Sequence, residues 1–251
     1  TSIAFVLAAA GFKVAKFGGR AASGKSGSFD FLEILGIENQ LPVQNTSDAL
    51  SVCGLAFIFA PRVYPILKRL MPLRKAYGRP TVLNYIGPLL NPVAPSSRIM
   101  GISSNPVRKL VAQHLSNCPK TRKAMLVTSA GHLDELSIDE YSEISLIDEG
   151  LIHEFELDPS TLPFISSKNG AKAGEFDAQS NVRSFLEIVE GKDKGSDEYK
   201  MILLNSAAAL FLLKACPSMS EGIRLAAELI SAGSVFETVE TCRRFYARLS
   251  D

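Results

Sequence analysis

The first 130 residues alternate short apolar runs with longer stretches in which apolar side chains recur every three or four positions. The short runs are typical of buried strands, and the longer stretches are typical of helices that cover a sheet. The alternation therefore predicts an α/β fold with a mostly parallel sheet flanked by helices. The predicted strands are 13–17, 55–59, 81–84, 98–103 and 123–128, and the predicted helices are 2–10, 30–35, 47–53, 66–70, 73–77 and 106–116.

The second half of the chain has a different pattern. The segment SEISLIDEGLIHEFEL has apolar and polar residues interleaved on both sides of Glu149-Gly150, which predicts a β-hairpin insertion that turns at this pair. Residues 160–175 are rich in Ser, Gly and Lys and predict a flexible connection. The remaining periodic segments predict C-terminal helices near 177–190, 196–214, 219–232 and 234–248.

The N-terminal helix is apolar on every face. Thr1 and Ser2 are good N-cap residues, and the helix is expected to stop at Gly11. A helix of this kind needs cover from other parts of a protein, and its abrupt start predicts an N-terminally truncated chain. Without that cover we expect the chain to associate through exposed apolar side chains. These would be Ile3, Phe5, Val6 and Leu7.

Composition narrows the class of protein. The 251 residues include 27 basic and 26 acidic ones, a balance that disfavours a nucleic-acid-coating domain. The apolar runs at 3–10 and 201–213 are too short to span a membrane. Four cysteines lie outside metal-ligand spacing in a chain too long to need disulfides, so we expect reduced thiols and a cytoplasmic protein. The cysteines are Cys53, Cys118, Cys216 and Cys242.

A glycine- and serine-rich loop follows the first predicted strand. Residues 19–26 read G-x-x-x-x-G-K-S, the pattern of the phosphate loop of many NTPases. In those proteins the helix begins at the Lys-Ser pair, whereas Gly27-Ser28 follow here before any helical pattern starts. A strand that ends in an aspartate for the nucleotide's metal is found only in the predicted hairpin. NTPase is therefore the weaker interpretation.

The wider pattern K-x-G-x-R-x-x-S-x-x-S-G-S, residues 16–28, suits a different phosphorylated ligand. Backbone N–H groups made accessible by glycine, together with hydroxyls and cationic side chains, form a cradle for several phosphate oxygens. The loop follows the carboxyl end of a strand, where α/β sheets bind their ligands. A Gly/Ser surface loop without a ligand is the alternative.

Two adjacent carboxylates, Asp134 and Glu135, follow the predicted strand 123–128 in the segment GHLDELS. An acidic pair on a loop is commonly only a solvated surface. However, Mg²⁺ is often bound by one or two carboxylates together with substrate phosphates. The expected position of the pair, at the same sheet edge as the phosphate cradle, favours a magnesium site.

Four segments in this order resemble the anthranilate phosphoribosyltransferase family. They read VAKFGGRAASGKSGSFDFLEILG, FAPRVYPILKRLMPLRKAYGRPTVLNYIGPLLNP, HLDELS and ILLNSAAALF, and the resemblance extends over essentially all 251 residues. It implies the class-II nucleoside phosphorylase type of fold, in which an α/β domain accompanies a small helical domain. It also implies that the anthranilate amine attacks C1 of phosphoribosyl pyrophosphate (PRPP) while Mg²⁺-pyrophosphate leaves. Such a reaction depends on positioning and charge stabilisation more than on acid–base catalysis.

The resemblance assigns a role to each matching residue. It implies Mg²⁺ at Asp134 and Glu135, and it implies that Arg74 holds the anthranilate carboxylate, which a guanidinium can bind bidentately. The residues implied to bind PRPP are Lys16, Gly18, Arg20, Ser23, Ser26, Gly27 and Ser28. The acceptor side would also contain Phe17, Gly19 and Tyr64, where the family usually has His, Asn and His. The donor side thus matches the family more closely than the acceptor side.

The resemblance also bears on the whole protein. It implies that residues 1–251 form one catalytic domain, with the family's first glycine-rich loop and most of the small helical domain lying before Thr1. We expect a homodimer for the full-length protein and no activity for residues 1–251 alone. Two alternatives stay open. One is a divergent phosphoribosyltransferase with another aromatic acceptor, and the other is a non-catalytic paralogue that binds nucleic acid or a ligand.

Overall fold

The structure is a computed structural model that describes residues 1–20, 27–37, 43–79, 81–130, 133–165 and 177–249. The α/β class predicted from the sequence is confirmed, with helices before, between and after the strands. The helices in the described residues are α1 Ser2–Ala9, α2 Ser28–Ile34, α3 Thr46–Val52, α4 Ala60–Val63, α5 Pro65–Tyr77, α6 Val82–Ile86, α7 Asn105–Ser116, α8 Ala178–Val189, α9 Asp197–Leu212, α10 Met219–Ser231 and α11 Ser234–Arg248. The strands are β1 Val14–Gly18, β2 Leu55–Phe59, β3 Ser97–Gly101, β4 Lys123–Ser129, β5 Ser142–Asp148 and β6 Leu151–Leu157.

The contacts of the chain divide into two compact units. The first unit consists of the described residues of Thr1–Val93, Gly174–Lys194 and Leu229–Asp251. The second unit consists of those of Ala94–Ala173 and Gly195–Glu228. The strands that alternate with helices pair in parallel, as predicted, but within the described residues they form two separate sheets, one in each unit.

The first unit is built on the parallel pair β1–β2, in which Val14 lies opposite Leu55 and Gly18 opposite Phe59. An aromatic cluster packs against this pair. The ring of Phe57 lies 5.7 Å from that of Tyr246 in α11, and the Phe57 N–H donates to Tyr246 Oη at 2.9 Å. A buried tyrosine keeps its hydroxyl bonded in this way because an unpaired one would be costly.

Helix α1 is covered within the first unit, so the predicted exposure of its apolar face is wrong. Phe5 and Val6 are fully buried, and Leu7 is 6% exposed. The ring of Phe5 packs 5.7 Å from Phe57 and 5.5 Å from Phe185 of α8. The sequence could not indicate this cover because it comes from residues that are distant along the chain, such as Phe185.

The second unit contains the sheet β3-β4-β5-β6, in which β3 and β4 are parallel and the last two pairs are antiparallel. The predicted hairpin is confirmed, since Asp148 lies opposite Leu151 and the two turn residues are Glu149 and Gly150. Their φ angles of 48° and 85° are the left-handed values that a two-residue hairpin turn requires.

A buried arginine links helix α7 to β5 and β6 in the second unit. Arg108 is 1% exposed, and its guanidinium contacts Glu143 at 3.0 Å and Glu154 at 2.6 Å. It also donates to Ser145 Oγ and, at 3.1 Å, to Asn105 Oδ1. The cluster satisfies a charge that would otherwise be costly to bury.

Two predicted elements differ in the structure. The predicted strand 81–84 is part of helix α6, because the Thr81 N–H donates to Asn84 Oδ1 at 2.9 Å and so caps a helical turn. Val82 is 65% exposed, so this segment lacks the burial expected of a central strand. The two predicted short helices at 66–70 and 73–77 are one helix, α5, which continues through Pro72.

Helix α2 begins two residues before the predicted start at position 30. Its N-cap is Gly27, whose N–H donates to Asp30 Oδ2 at 2.8 Å. Most of the predicted flexible connection, residues 166–175, lies outside the described residues, whereas 159–161 form a 3₁₀ turn. The four predicted C-terminal helices are confirmed as α8 to α11.

Two further features of the structure concern the cysteines and the apolar helices. All four cysteines are free thiols, and the thiols of Cys53 and Cys242 are hydrogen-bonded to each other in the core of the first unit. Among the described residues, no helix has both the length and the apolar character needed to cross a membrane.

Candidate functional site

The predicted phosphate loop begins in β1 and ends in α2, both in the first unit. Lys16 and Gly18 are the third and last residues of β1, and Gly27 and Ser28 begin α2. The loop therefore starts at the carboxyl end of a strand, as predicted. Ser23 and Ser26, together with Lys25 of the G-K-S pattern, lie outside the described residues.

Arg20 is bound by acidic side chains of α2. Its Nη2 donates to Glu33 Oε2 at 3.0 Å, and its Nε lies 3.9 Å from Asp30 Oδ1. The guanidinium also lies 5.9 Å from the centre of the Phe59 ring. With 42% of its side chain exposed, Arg20 forms ion pairs of the weak surface type, which another anion can displace.

Two of the residues predicted for the acceptor side are in contact. The rings of Phe17 and Tyr64 meet edge to face, with their centres 6.2 Å apart. Tyr64 Oη donates to the carbonyl of Leu90 at 2.9 Å, which fixes the orientation of its ring. Gly19 lies close by, since a Cβ atom added there would come 4.0 Å from Pro61 Cδ. These residues form an aromatic surface beside the start of the phosphate loop.

Arg74 lies further along α5. Tyr64 is the N-cap of this helix, so ten positions separate the two residues, which corresponds to about 15 Å along the helix axis. Arg74 Nη2 donates to Asn84 Oδ1 at 2.9 Å, the oxygen that also accepts the Thr81 N–H. The structure thus brings Phe17 and Tyr64 together and places Arg74 at a separate point of the same unit.

Two asparagines of the segment NYIGPLLNP have positioning roles that the sequence analysis did not assign. Asn84 holds the Arg74 guanidinium. Asn91 Nδ2 donates to the carbonyl of Ala15 in β1 at 3.1 Å, next to Lys16 of the predicted donor site. Both residues could have been noticed in the sequence, because they are the first and eighth residues of the motif NYIGPLLNP, which carries part of the family resemblance.

The predicted metal ligands Asp134 and Glu135 follow β4 in the second unit, and both side chains are exposed. Glu135 keeps solvent contact, yet surrounding protein atoms remove part of its hydration and raise the pKa of its carboxyl, and the charge of Asp134 adds to this effect. Within the described ranges, no three His, Cys, Asp or Glu side chains are arranged to hold a metal. Two hard oxygen donors nevertheless fit Mg²⁺, which keeps its remaining positions for water and substrate phosphates.

Asn205 of α9 binds the backbone immediately after these carboxylates. Its Oδ1 accepts the Leu136 N–H at 3.0 Å, and its Nδ2 donates to the Leu136 carbonyl at 3.2 Å and to the Met201 carbonyl at 3.0 Å. Only 9% of Asn205 is exposed. Asn205 was not among the residues predicted from the sequence, although an asparagine inside the apolar run ILLNSAAALF was a signal that some buried group needed its amide.

Buried serines hold the same loop from the sheet. Ser129 of β4 donates to the carbonyl of Glu135, and its Oγ lies 2.6 Å from Ser142 Oγ of β5. Both hydroxyl oxygens accept the Ser137 N–H at 3.2 Å. The backbone that follows the carboxylate pair is therefore fixed by buried polar groups.

Comparison with known proteins reveals a consistent set of relatives. Residues 1–236 match the family described as "Glycosyl transferase family, a/b domain". The anthranilate phosphoribosyltransferase of Syntrophomonas wolfei is 35% identical over 240 residues, which cover 96% of this chain and 69% of that protein. The enzyme of the same name from Bacillus cereus strain B4264 is 37% identical over 93% of this chain and 67% of its own length.

Solved structures of the same kind superimpose on the chain. Anthranilate phosphoribosyltransferase from Thermus thermophilus matches with a TM-score of 0.84 and 28% identity, over 100% of this chain and 72% of that one. The Saccharomyces cerevisiae enzyme in complex with PRPP and Mg also gives 0.84, with 25% identity over 98% of this chain and 69% of its own. Its complex with 4-fluoroanthranilate gives 0.82 with 25% identity, over 98% of this chain and 68% of that chain.

Proposed function

Because this chain belongs to the glycosyl transferase family with the a/b domain, we propose that it transfers a phosphoribosyl group from PRPP to the amine of anthranilate, a step of tryptophan biosynthesis. The observation that carries the proposal is the 35–37% identity to anthranilate phosphoribosyltransferases over more than nine-tenths of the chain. Such identity over the full α/β region makes a shared reaction far better supported than fold alone would.

The donor site is proposed from the residues around the phosphate loop. Lys16 and Arg20 supply positive charge, and Ser28 supplies a hydroxyl. Gly18 and Gly27 supply backbone N–H groups, and that of Gly27 would exchange its bond to Asp30 Oδ2 for one to a phosphate oxygen. Arg20 can turn from Glu33 to a pyrophosphate oxygen at little cost, because it exchanges a weak surface ion pair for a charge-assisted hydrogen bond. We extend the proposed donor site to Ser23 and Ser26 from their positions in the motif.

Asp134 and Glu135 are the proposed magnesium ligands. When bound, Mg²⁺ would neutralise charge that develops on the departing pyrophosphate. The part of the protein in this step is to present two carboxylate oxygens from a backbone that does not need to rearrange. The hydrogen bonds of Ser129 and Asn205 to the flanking peptide groups supply that rigidity.

The proposed acceptor side combines an aromatic surface with a cation. Phe17 and Tyr64 offer ring faces and edges to an aromatic ring, and Arg74 offers a guanidinium to a carboxylate. Arg74 is held by Asn84 in this structure, at a distance from the aromatic pair. Anthranilate is the favoured acceptor because a solved relative binds 4-fluoroanthranilate. A homodimer stays a prediction of the resemblance, and a cytoplasmic location stays a prediction from the cysteines.

The test is a steady-state assay of the full-length protein with PRPP, anthranilate and Mg²⁺, following anthranilate consumption and pyrophosphate release. We expect stoichiometric release that depends on both substrates and the metal. Consumption of a different aromatic amine in preference to anthranilate would replace the acceptor. Phosphate release from ATP with no transfer from PRPP would refute the proposal.

The metal assignment has a matched control in the same loop. The double variant Asp134→Asn/Glu135→Gln removes the proposed ligand charges, and Asp139→Asn/Glu140→Gln removes charge from a second adjacent pair that is also exposed. We expect only the first variant to lose Mg²⁺-dependent turnover while keeping its melting temperature. Equal loss in both variants would indicate a general effect of loop charge.

A further inference from the structure

The loop that bears Asp134 and Glu135 is held from several sides by buried groups of the second unit. Asn205 binds both backbone groups of Leu136, and Ser129 binds the Glu135 carbonyl. On the N-terminal side, the Ser129 N–H donates to the Leu133 carbonyl at 3.1 Å. The backbone hydrogen bonds described here for Leu133, Glu135 and Leu136 therefore all join this loop to β4 or α9.

A glycine at the end of β3 completes this arrangement. A Cβ atom built on Gly101 would come 1.5 Å from the carbonyl oxygen of Asp134 and 2.2 Å from its carbonyl carbon. The backbone of Asp134 thus occupies the space that any other side chain at position 101 would need. The φ angle of Gly101 lies outside the left-handed region, so the requirement for glycine comes from this close approach and not from backbone strain.

Burying polar side chains such as these costs free energy, so stability alone does not explain their presence. Asn205 is nine-tenths buried in the stretch 201–212 of α9, whose other residues are apolar except for Ser206, and it uses both ends of its amide on one residue of the carboxylate loop. Ser129 and Ser142 are almost fully buried, and their hydroxyls point to the same loop. Buried polar side chains that are fully bonded rigidify what they bind, and what these bind is the backbone that presents the two carboxylates.

We propose that Gly101, Ser129 and Asn205 are positioning residues that set the metal affinity of the Asp134–Glu135 pair. The inference rests on the proposed function, in which this pair binds Mg²⁺. Groups that orient metal ligands typically change metal affinity about 10- to 100-fold when they are replaced. The acceptor side lies in the first unit and is not part of this network.

The test measures metal binding directly on the full-length protein. Mn²⁺ replaces Mg²⁺, and free Mn²⁺ is followed by electron paramagnetic resonance with saturating PRPP. Gly101→Ala should raise the Mn²⁺ dissociation constant about 10- to 100-fold, with the acceptor KM unchanged. Gly195→Ala is the matched control, since a Cβ at Gly195 meets no atom within 4 Å, and it should bind Mn²⁺ like the parent.

Two further variants separate positioning from folding. Ser129→Ala deletes one oxygen atom and should weaken Mn²⁺ binding even if Asn205→Ala or Gly101→Ala does not fold. If Asp134→Asn/Glu135→Gln loses Mn²⁺ binding while folded Gly101→Ala and Ser129→Ala bind it within two-fold of the parent, the positioning inference is overturned. If the double carboxylate variant itself binds Mn²⁺ normally, the metal assignment fails and this inference with it.

Discussion

Arg20 offers a quantitative test of the donor site because it has two competing partners. In this structure it is paired with Glu33 at 3.0 Å, with side-chain exposures of 42% and 58%. A surface pair of this kind contributes about 0.2–1 kcal/mol. A charge-assisted hydrogen bond to a phosphate oxygen contributes about 1.5–3 kcal/mol. Binding of PRPP would exchange the first for the second, with a net gain of about 0.5–2.8 kcal/mol.

Two variants should therefore act in opposite directions. Arg20→Ala should raise the dissociation constant of PRPP between roughly 2-fold and 100-fold. Glu33→Gln frees the guanidinium before binding, so it should lower that constant by up to about 5-fold. Glu33 lies outside the proposed donor site, and an improvement after its replacement would be hard to explain by damage to the fold.

Calorimetric titration of PRPP with Mg²⁺ into the full-length protein measures both effects. Arg183→Ala is the matched control, because Arg183 forms an exposed pair with Glu187 one turn along α8. It should leave PRPP affinity unchanged. Unaltered affinity in Arg20→Ala would refute the reasoning. Weaker binding in Glu33→Gln would indicate that Glu33 positions Arg20 for the donor instead of competing for it.

Three other changes test separate parts of the structure. Arg108→Ala should lower the free energy of unfolding by about 1–3 kcal/mol in urea titration, because the buried Ser145 hydroxyl loses a donor while Glu143 and Glu154, which keep solvent contact, lose their cation; a loss below about 0.5 kcal/mol would contradict this. Arg74→Ala should raise the acceptor KM by an amount equivalent to about 2–4 kcal/mol, with donor affinity unchanged. Replacement of the exposed Arg69 on the same helix by alanine should have no effect. A fall in donor affinity in Arg74→Ala would assign Arg74 to the phosphate site. Gly150→Ala should destabilise the protein by about 1 kcal/mol, because its φ of 85° is strained for any side chain; an unchanged urea midpoint would contradict this.

Local pattern alone predicted much of the fold. Strand β2 has the bounds that its apolar run gave, and the hairpin turns at the predicted residues Glu149 and Gly150. The C-terminal helices lie within a few residues of their predicted positions. These elements have clear periods or apolar runs and clear stop signals among neighbouring residues, so short-range information is sufficient for them. The motif residues were likewise recognisable because a phosphate cradle is a contiguous segment.

Elements without such signals depended on their surroundings. The segment 81–84 is apolar enough for a strand, but one side-chain cap from Asn84 makes it helical. Helix α1 reads as an exposed apolar surface until Phe185 and other distant residues cover it. Helix α5 continues through Pro72, where the local rule predicted a break.

The sequence by itself named the candidate residues for the chemistry, and the tertiary structure decided what holds them. Asp134 and Glu135 could be proposed as metal ligands from the sequence because carboxylates are chemically distinctive. The roles of Asn205 and Gly101 could not be predicted in this way. Asn205 acts because the backbone of Leu136 comes within hydrogen-bond distance of its amide, and Gly101 is needed because the backbone of Asp134 leaves no room for a side chain. Such contacts join parts of the chain that no local pattern relates, and folding alone brings them together.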